Sequence, residues 1–76
     1  MKILRLSELP MNTPAKVVSI GCDKRLKQRL GELGLYEGET VTAVLKSPLG
    51  QPRAYMIGGA VIALRNSDCE KIKAEL

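Results

Sequence analysis

The sequence predicts a mainly β fold: a small barrel of about five antiparallel strands, strongly bent, with one inserted α-helix. Three observations carry this. Apolar residues alternate with period two in several short stretches, as in strands with one buried face. One stretch breaks that rhythm, because Leu26, Leu30 and Leu33 fall at i, i+4 and i+7 on one helical face. Glycines fence the segments, notably Gly34, Gly38 and Gly58-Gly59. In so short a chain, curling the sheet into a barrel is the usual way to hide strand edges.

Taken in order, Met1 to Pro14 forms a lead-in whose Leu4, Leu6 and Leu9 pin it to the body, with a turn of helix at Ser7-Glu8-Leu9-Pro10. Ala15 to Gly21 is the first strand, with Val18 and Ile20 expected inward and Lys16 near the open end. Asp23 is the expected N-cap of a helix from Lys24 to Leu33. Gly34 follows as a left-handed closing residue, and Leu35 packs back on the cap. Glu39 to Ser47 is the second strand, with Val41, Ala43 and Leu45 on one face and Thr42, Val44 and Lys46 on the other. Pro48-Leu49-Gly50-Gln51-Pro52 makes a rigid loop.

Arg53 to Arg65 is a hairpin turning on Gly58-Gly59, which supplies the two positive φ angles of a tight primed turn. That loop sets Ile57 opposite Ala60, Tyr55 opposite Ile62 and Arg53 opposite Leu64. Tyr55, Ile57, Ile62 and Leu64 then share the inner face, and Ala54, Met56, Val61 and Ala63 the outer one. An apolar outer face is unusual in a half-exposed hairpin. Either the curling sheet covers Met56 and Val61, or they form an exposed interface patch. Ser67-Asp68-Cys69-Glu70 has capping-box spacing, and Ile72, Ala74 and Leu76 mark a closing strand.

Composition narrows the function. The chain of 76 residues is expected to form one domain, 1–76, whose core is aliphatic because it has no Trp or Phe and only Tyr36 and Tyr55 as aromatics. Net charge is +4, which permits an acidic partner without demanding one. The charged N-terminus and the short uncharged run Ala54 to Leu64 predict a cytoplasmic protein with reduced thiols at Cys22 and Cys69. Without histidine there is no imidazole base, triad or zinc–histidine site. Two isolated thiols make a poor metal site, and Glu32, Glu37 and Glu39 are solvated loop charges. Gly31, Gly34 and Gly38 lack the Lys and Ser/Thr of a phosphate loop. The expectation is a binding protein with no enzymatic activity, no cofactor and no metal ligands.

The combination of leucines with Gly34-Leu35, Gly38 and Val41, Pro48 to Pro52, Gly59, and Ile62-Ala63-Leu64-Arg65 resembles the FeoA family, ferrous iron transport protein A. The resemblance covers roughly Ala15 to Ile72. It implies an SH3-like barrel with a helix after the first strand. It also implies a small cytosolic protein that assists FeoB, a membrane ferrous-iron permease with a cytosolic GTP-binding domain. No catalytic residues and no established metal ligands follow from it. At Met56 and Val61 the family is more often polar or charged, which favours the exposed-patch reading here. The candidate partner-binding residues are therefore the helix cations Arg25, Lys27 and Arg29, the hinge residues Leu35 and Tyr36, and the patch residues Met56 and Val61. Two alternatives stand beside this one. A nucleic-acid-binding SH3-like module suits the charge but lacks the aromatic platform that stacks bases. A self-associating scaffold would use the Met56/Val61 face.

Overall fold

A computed structural model describes residues 2–21, 24–46, 48 and 52–76. The expected N-cap Asp23, the thiol of Cys22, and Ser47 with Leu49-Gly50-Gln51 lie outside the described residues. Among the described residues, six strands form one sheet: β1 (Ile3–Arg5), β2 (Ala15–Ile20), β3 (Thr40–Lys46), β4 (Arg53–Ile57), β5 (Ala60–Leu64) and β6 (Ile72–Glu75). Their order is β1-β6-β2-β3-β4-β5, and every strand pair is antiparallel. Helix α1 (Lys24–Glu32) is inserted between β2 and β3, and the short α2 (Asn66–Cys69) precedes β6. This is an SH3-like barrel, with one strand more than the sequence predicts. The extra strand is Ile3–Arg5, which pairs with the end of β6 and is too short to show a period.

The hairpin follows its sequence signals. Gly58 and Gly59 have φ of 56° and 88°, and the three predicted cross-strand pairs form, within a run of five from Ile57–Ala60 to Arg53–Leu64. The close of α1 is a Schellman motif. Gly34 has φ of 94°, its N–H donates to Gly31 at 3.0 Å, and the Leu35 N–H donates to Leu30 at 2.9 Å. Leu30 and Leu35, the pair this motif brings together, are both buried.

Two faces differ from expectation, each because of a β-bulge. The register of β2 on β6 shifts between Val17 and Ser19, so Val17 and Ile20 are buried while Val18 turns partly outward. The register of β3 on β4 shifts between Ala43 and Leu45, so Val41 and Ala43 are buried and Leu45 is 64% exposed. Leu33 is 43% exposed rather than part of the helix's buried stripe, and Leu35 fills the core instead. The turn in the lead-in falls at Leu6–Glu8, with Leu6 and Leu9 buried as predicted. The expected capping box at Ser67 does not form. Helix α2 starts two residues earlier than that box implies, with Arg65 as N-cap, and the Arg65 side chain makes no capping bond.

Candidate functional site

The surfaces flanking α1 are built by three small features of the hinge. Gly31 lacks a side chain on the helix flank that meets Tyr36, and a Cβ there would sit 3.3 Å from Tyr36 Cε1. The Tyr36 ring therefore lies against bare helix, which explains a glycine inside α1 despite its cost of about 0.5–1 kcal/mol relative to Ala. The chain then turns at Gly38, with φ of 97° and a Glu39 N–H bond to Tyr36 at 3.1 Å. Gly38 also donates to Val17 at 2.7 Å, fixing the hinge to β2. The result is a groove of about 700 Å³ with Ile20, Gly31 and Leu35 at its base and Tyr36, Lys24 and Lys27 beside it. Tyr36 is 56% exposed. Lys27 Nζ lies 3.8 Å from Glu37 Oε1, a pair exposed enough to contribute little to stability.

The helix cations do not form one basic face. Lys27 borders the Tyr36 groove, whereas Arg29 borders a second groove between α1 and the β5–α2 corner, together with Leu26, Leu33 and Arg65. Arg25 is exposed and lines neither. Leu35 is buried, so it enters the site only as part of the groove's apolar base.

The outer sheet face is open. Opposed residues form two rows across β3, β4 and β5: Thr42, Met56 and Val61 in one, and Leu45, Ala54 and Ala63 in the other. The bulge at Val44 turns Leu45 into the second row, where strict alternation places it inward. Met56 and Val61 are exposed, Val61 at 55%.

Sequence reasoning missed the buried polar cluster. Arg53 is only 7% exposed, and its guanidinium clamps the segment that follows β1. It donates to the carbonyls of Leu6 at 3.4 Å, of Ser7, and of Leu9 at 3.0 Å, and contacts Met11 Sδ at 3.5 Å. Tyr55 donates its hydroxyl to Leu6 at 3.0 Å, and Cys69 is wholly buried close to it. The one available signal was the pairing of Arg53 with Leu64, which put it on the inner face. Burial pushes the Tyr55 phenol up, and the adjoining thiol adds to that shift. Burial likewise pushes the Cys69 thiol up, with the Tyr55 hydrogen bond opposing. This cluster is structural: the terminal Arg53 N–H groups and the Tyr55 hydroxyl bond to the backbone of the segment after β1, while Arg53 Nε is buried with no partner among the described residues.

These shifts predict a stability that falls in alkali. The unfolded chain ionises its thiol near pH 8.5 and its phenol near 10, while both folded groups hold their protons to higher pH. Native protein then binds more protons than unfolded protein, so stability is complete below about pH 8 and declines above it. The decline approaches about 1.4 kcal/mol per pH unit for each group once its unfolded form is ionised. Urea midpoints from pH 7 to 10.5 should show the decline, and Tyr55→Phe should flatten it above pH 10. An equal slope in the variant excludes the phenol as its source.

Among the described residues, no group of three or more His, Cys, Asp or Glu could hold a metal, and no helix is long and apolar enough to cross a membrane. What the fold presents is a small SH3-like barrel with two grooves beside a docked helix and an apolar outer sheet. Comparison with known proteins identifies the family. The family model for the FeoA domain matches residues 4–76, and the chain belongs to the FeoA family. It is 36% identical over 73 residues to a Porphyromonas gingivalis fusion of Fe(2+) transport protein A with the Fe(2+) transporter FeoB. That match covers 96% of this chain and 9% of the fusion, so the chain spans about a tenth of that relative. Iron(II) transport protein A of Clostridium thermocellum superposes with TM-score 0.91 at 30% identity, covering 96% of this chain and 45% of that one. FeoA of Stenotrophomonas maltophilia, solved with zinc and described as a prokaryotic SH3 domain protein, gives TM-score 0.81 at 36% identity, with coverages of 95% and 89%. The family is one of ferrous iron transport.

Proposed function

We propose that this chain is a cytosolic accessory module of ferrous iron uptake that works by binding a FeoB-like transporter, with the Tyr36 groove as its contact. The observation that carries this reading is the fusion relative, in which a homologous module and the transporter share one polypeptide. Fusion keeps two proteins at high effective concentration, which serves an association already useful when they are separate. The groove supports the reading because it pairs an exposed aromatic with an apolar base and a charged border, the composition of an interface anchor. The module acts by contact, without catalysis, at the inner face of the membrane through its partner.

The test is an NMR titration of labelled protein with the cytosolic GTP-binding domain of the FeoB-like transporter from the same organism, with GDP and with a GTP analogue. Shifts should concentrate on α1 and residues 34–38. Tyr36→Ala, which removes an anchor without touching the core, should weaken binding by about tenfold or more. Lys27→Glu should weaken it severalfold, and more at low salt. Shifts absent at millimolar concentration, or affinity unchanged by Tyr36→Ala, count against the groove as the contact.

A further inference from the structure

We propose that the outer face of β3–β4–β5 docks a second copy of this chain. The argument rests on the register of the sheet and not on the transporter reading, which uses a different surface. The first row runs Thr42, Met56, Val61, and the second runs Leu45, Ala54, Ala63. On β4 and β5 the larger side chains stand in the first row and alanines in the second. On β3 the bulge reverses this, with Thr42 in the first row and Leu45 in the second.

That alternation is self-complementary. Consider two copies facing each other, related by a two-fold axis that runs across the strands midway between the rows. The first row of each copy then covers the second row of the other. Met56 sits over Ala54, Leu45 over Thr42, and Val61 over Ala63. Each large side chain enters the space above a small one, as facing sheets interdigitate in sandwiches. The contact is isologous, so it closes at two copies.

Charge points the same way. Each copy carries a net +4, so two copies repel through most of their surfaces. None of the six face residues is charged, and Thr42 is the only polar side chain among them. Two copies therefore approach here without opposing cations. The face is small. Three strands about 4.8 Å apart and two rows about 7 Å apart cover far less than the roughly 800 Å² per partner of a standard interface. The dimer is accordingly weak and concentration-dependent.

Sedimentation equilibrium of the full chain from about 10 µM to about 1 mM tests this. Mass should rise with concentration, and added salt should favour the dimer by screening the net charge. Concentration-dependent amide shifts should be confined to β3, β4 and β5. Val61→Glu should abolish the rise. Ala63→Leu separates interdigitation from simple stickiness. It enlarges the apolar face at an exposed site, yet fills the space that Val61 of the other copy needs, so it should weaken association by about tenfold. A monomer at every concentration overturns the proposal. So does Ala63→Leu protein that associates as well as the parent or better. If the parent is monomeric while Val61→Glu loses binding to the transporter domain, the face belongs to that partner and the second copy is excluded.

Discussion

Arg53→Met should destabilise the protein by about 3–5 kcal/mol, read as a drop in urea midpoint at pH 7. The side chains are similar in length, so the change removes donors and leaves little empty space. It strands the carbonyls of Ser7 and Leu9, which now receive guanidinium N–H groups, while that of Leu6 keeps the Tyr55 hydroxyl. A buried acceptor left unpaired costs about 1–3 kcal/mol. Part of that is offset, because a buried cation no longer has to be desolvated. The net loss is large beside the roughly 4–11 kcal/mol that a chain of this length commands. Arg53→Lys should recover only part of it, since an ammonium does not reproduce the planar fork that reaches two sides of one segment. A change under about 1 kcal/mol for Arg53→Met would falsify the clamp.

Leu30→Ala should cost about 3 kcal/mol, with the damage concentrated on one element. Leu30 is 2% exposed and is the one side chain of α1 that is fully buried. The helix has little intrinsic support. Four of its nine residues are cations, no acidic residue lies in its first turn, and Gly31 weakens its middle. Packing through Leu30, partly buried Leu26 and the cap residue Leu35 holds it. Truncating Leu30 also opens the contact that accompanies the Schellman motif. Hydrogen exchange should accelerate across residues 24–33 far more than in β4 or β6, and Tyr36 should lose its seat against Gly31. Uniform acceleration through the sheet instead would show that α1 and the barrel unfold as one unit.

The contrast between what the sequence shows and what it hides has physical causes. The Gly58-Gly59 hairpin was legible to the residue, because a two-residue primed loop allows one register and both glycines announce it. The close of α1 was legible because only glycine adopts φ near 94° without strain, and an apolar residue follows it. The bulges in β2 and β3 were not legible. A bulge inserts one residue and reverses the parity of everything beyond it, and here neither Val18 nor Val44 differs from an ordinary strand residue. Val18 and Leu45 were misassigned for that reason alone. The outer patch was visible as Met56 and Val61, yet its extent depended on the Leu45 reversal. Of the candidate partner residues, Tyr36 was legible as a hinge aromatic, and the parting of Lys27 from Arg29 is readable from their i, i+2 spacing, while the groove that each borders required the docked orientation of α1. Arg53 was hidden most deeply, since its acceptors lie 44 to 47 residues earlier in the chain.

Those separations govern how the protein folds as well as how it stands. β1 pairs with β6, placing Ile3 opposite Glu75, and Arg53 and Tyr55 reach back to Leu6. Such contacts close long loops before they return any stabilisation, so they form late. The β4–β5 hairpin, by contrast, closes over two residues. Folding should therefore nucleate at the hairpin and its pairing with β3, and finish when β1 pairs with β6 and Arg53 clamps the segment that follows it. The chain should fold in milliseconds to seconds, in the manner of SH3-like barrels, rather than in the microseconds of a helical domain of equal length.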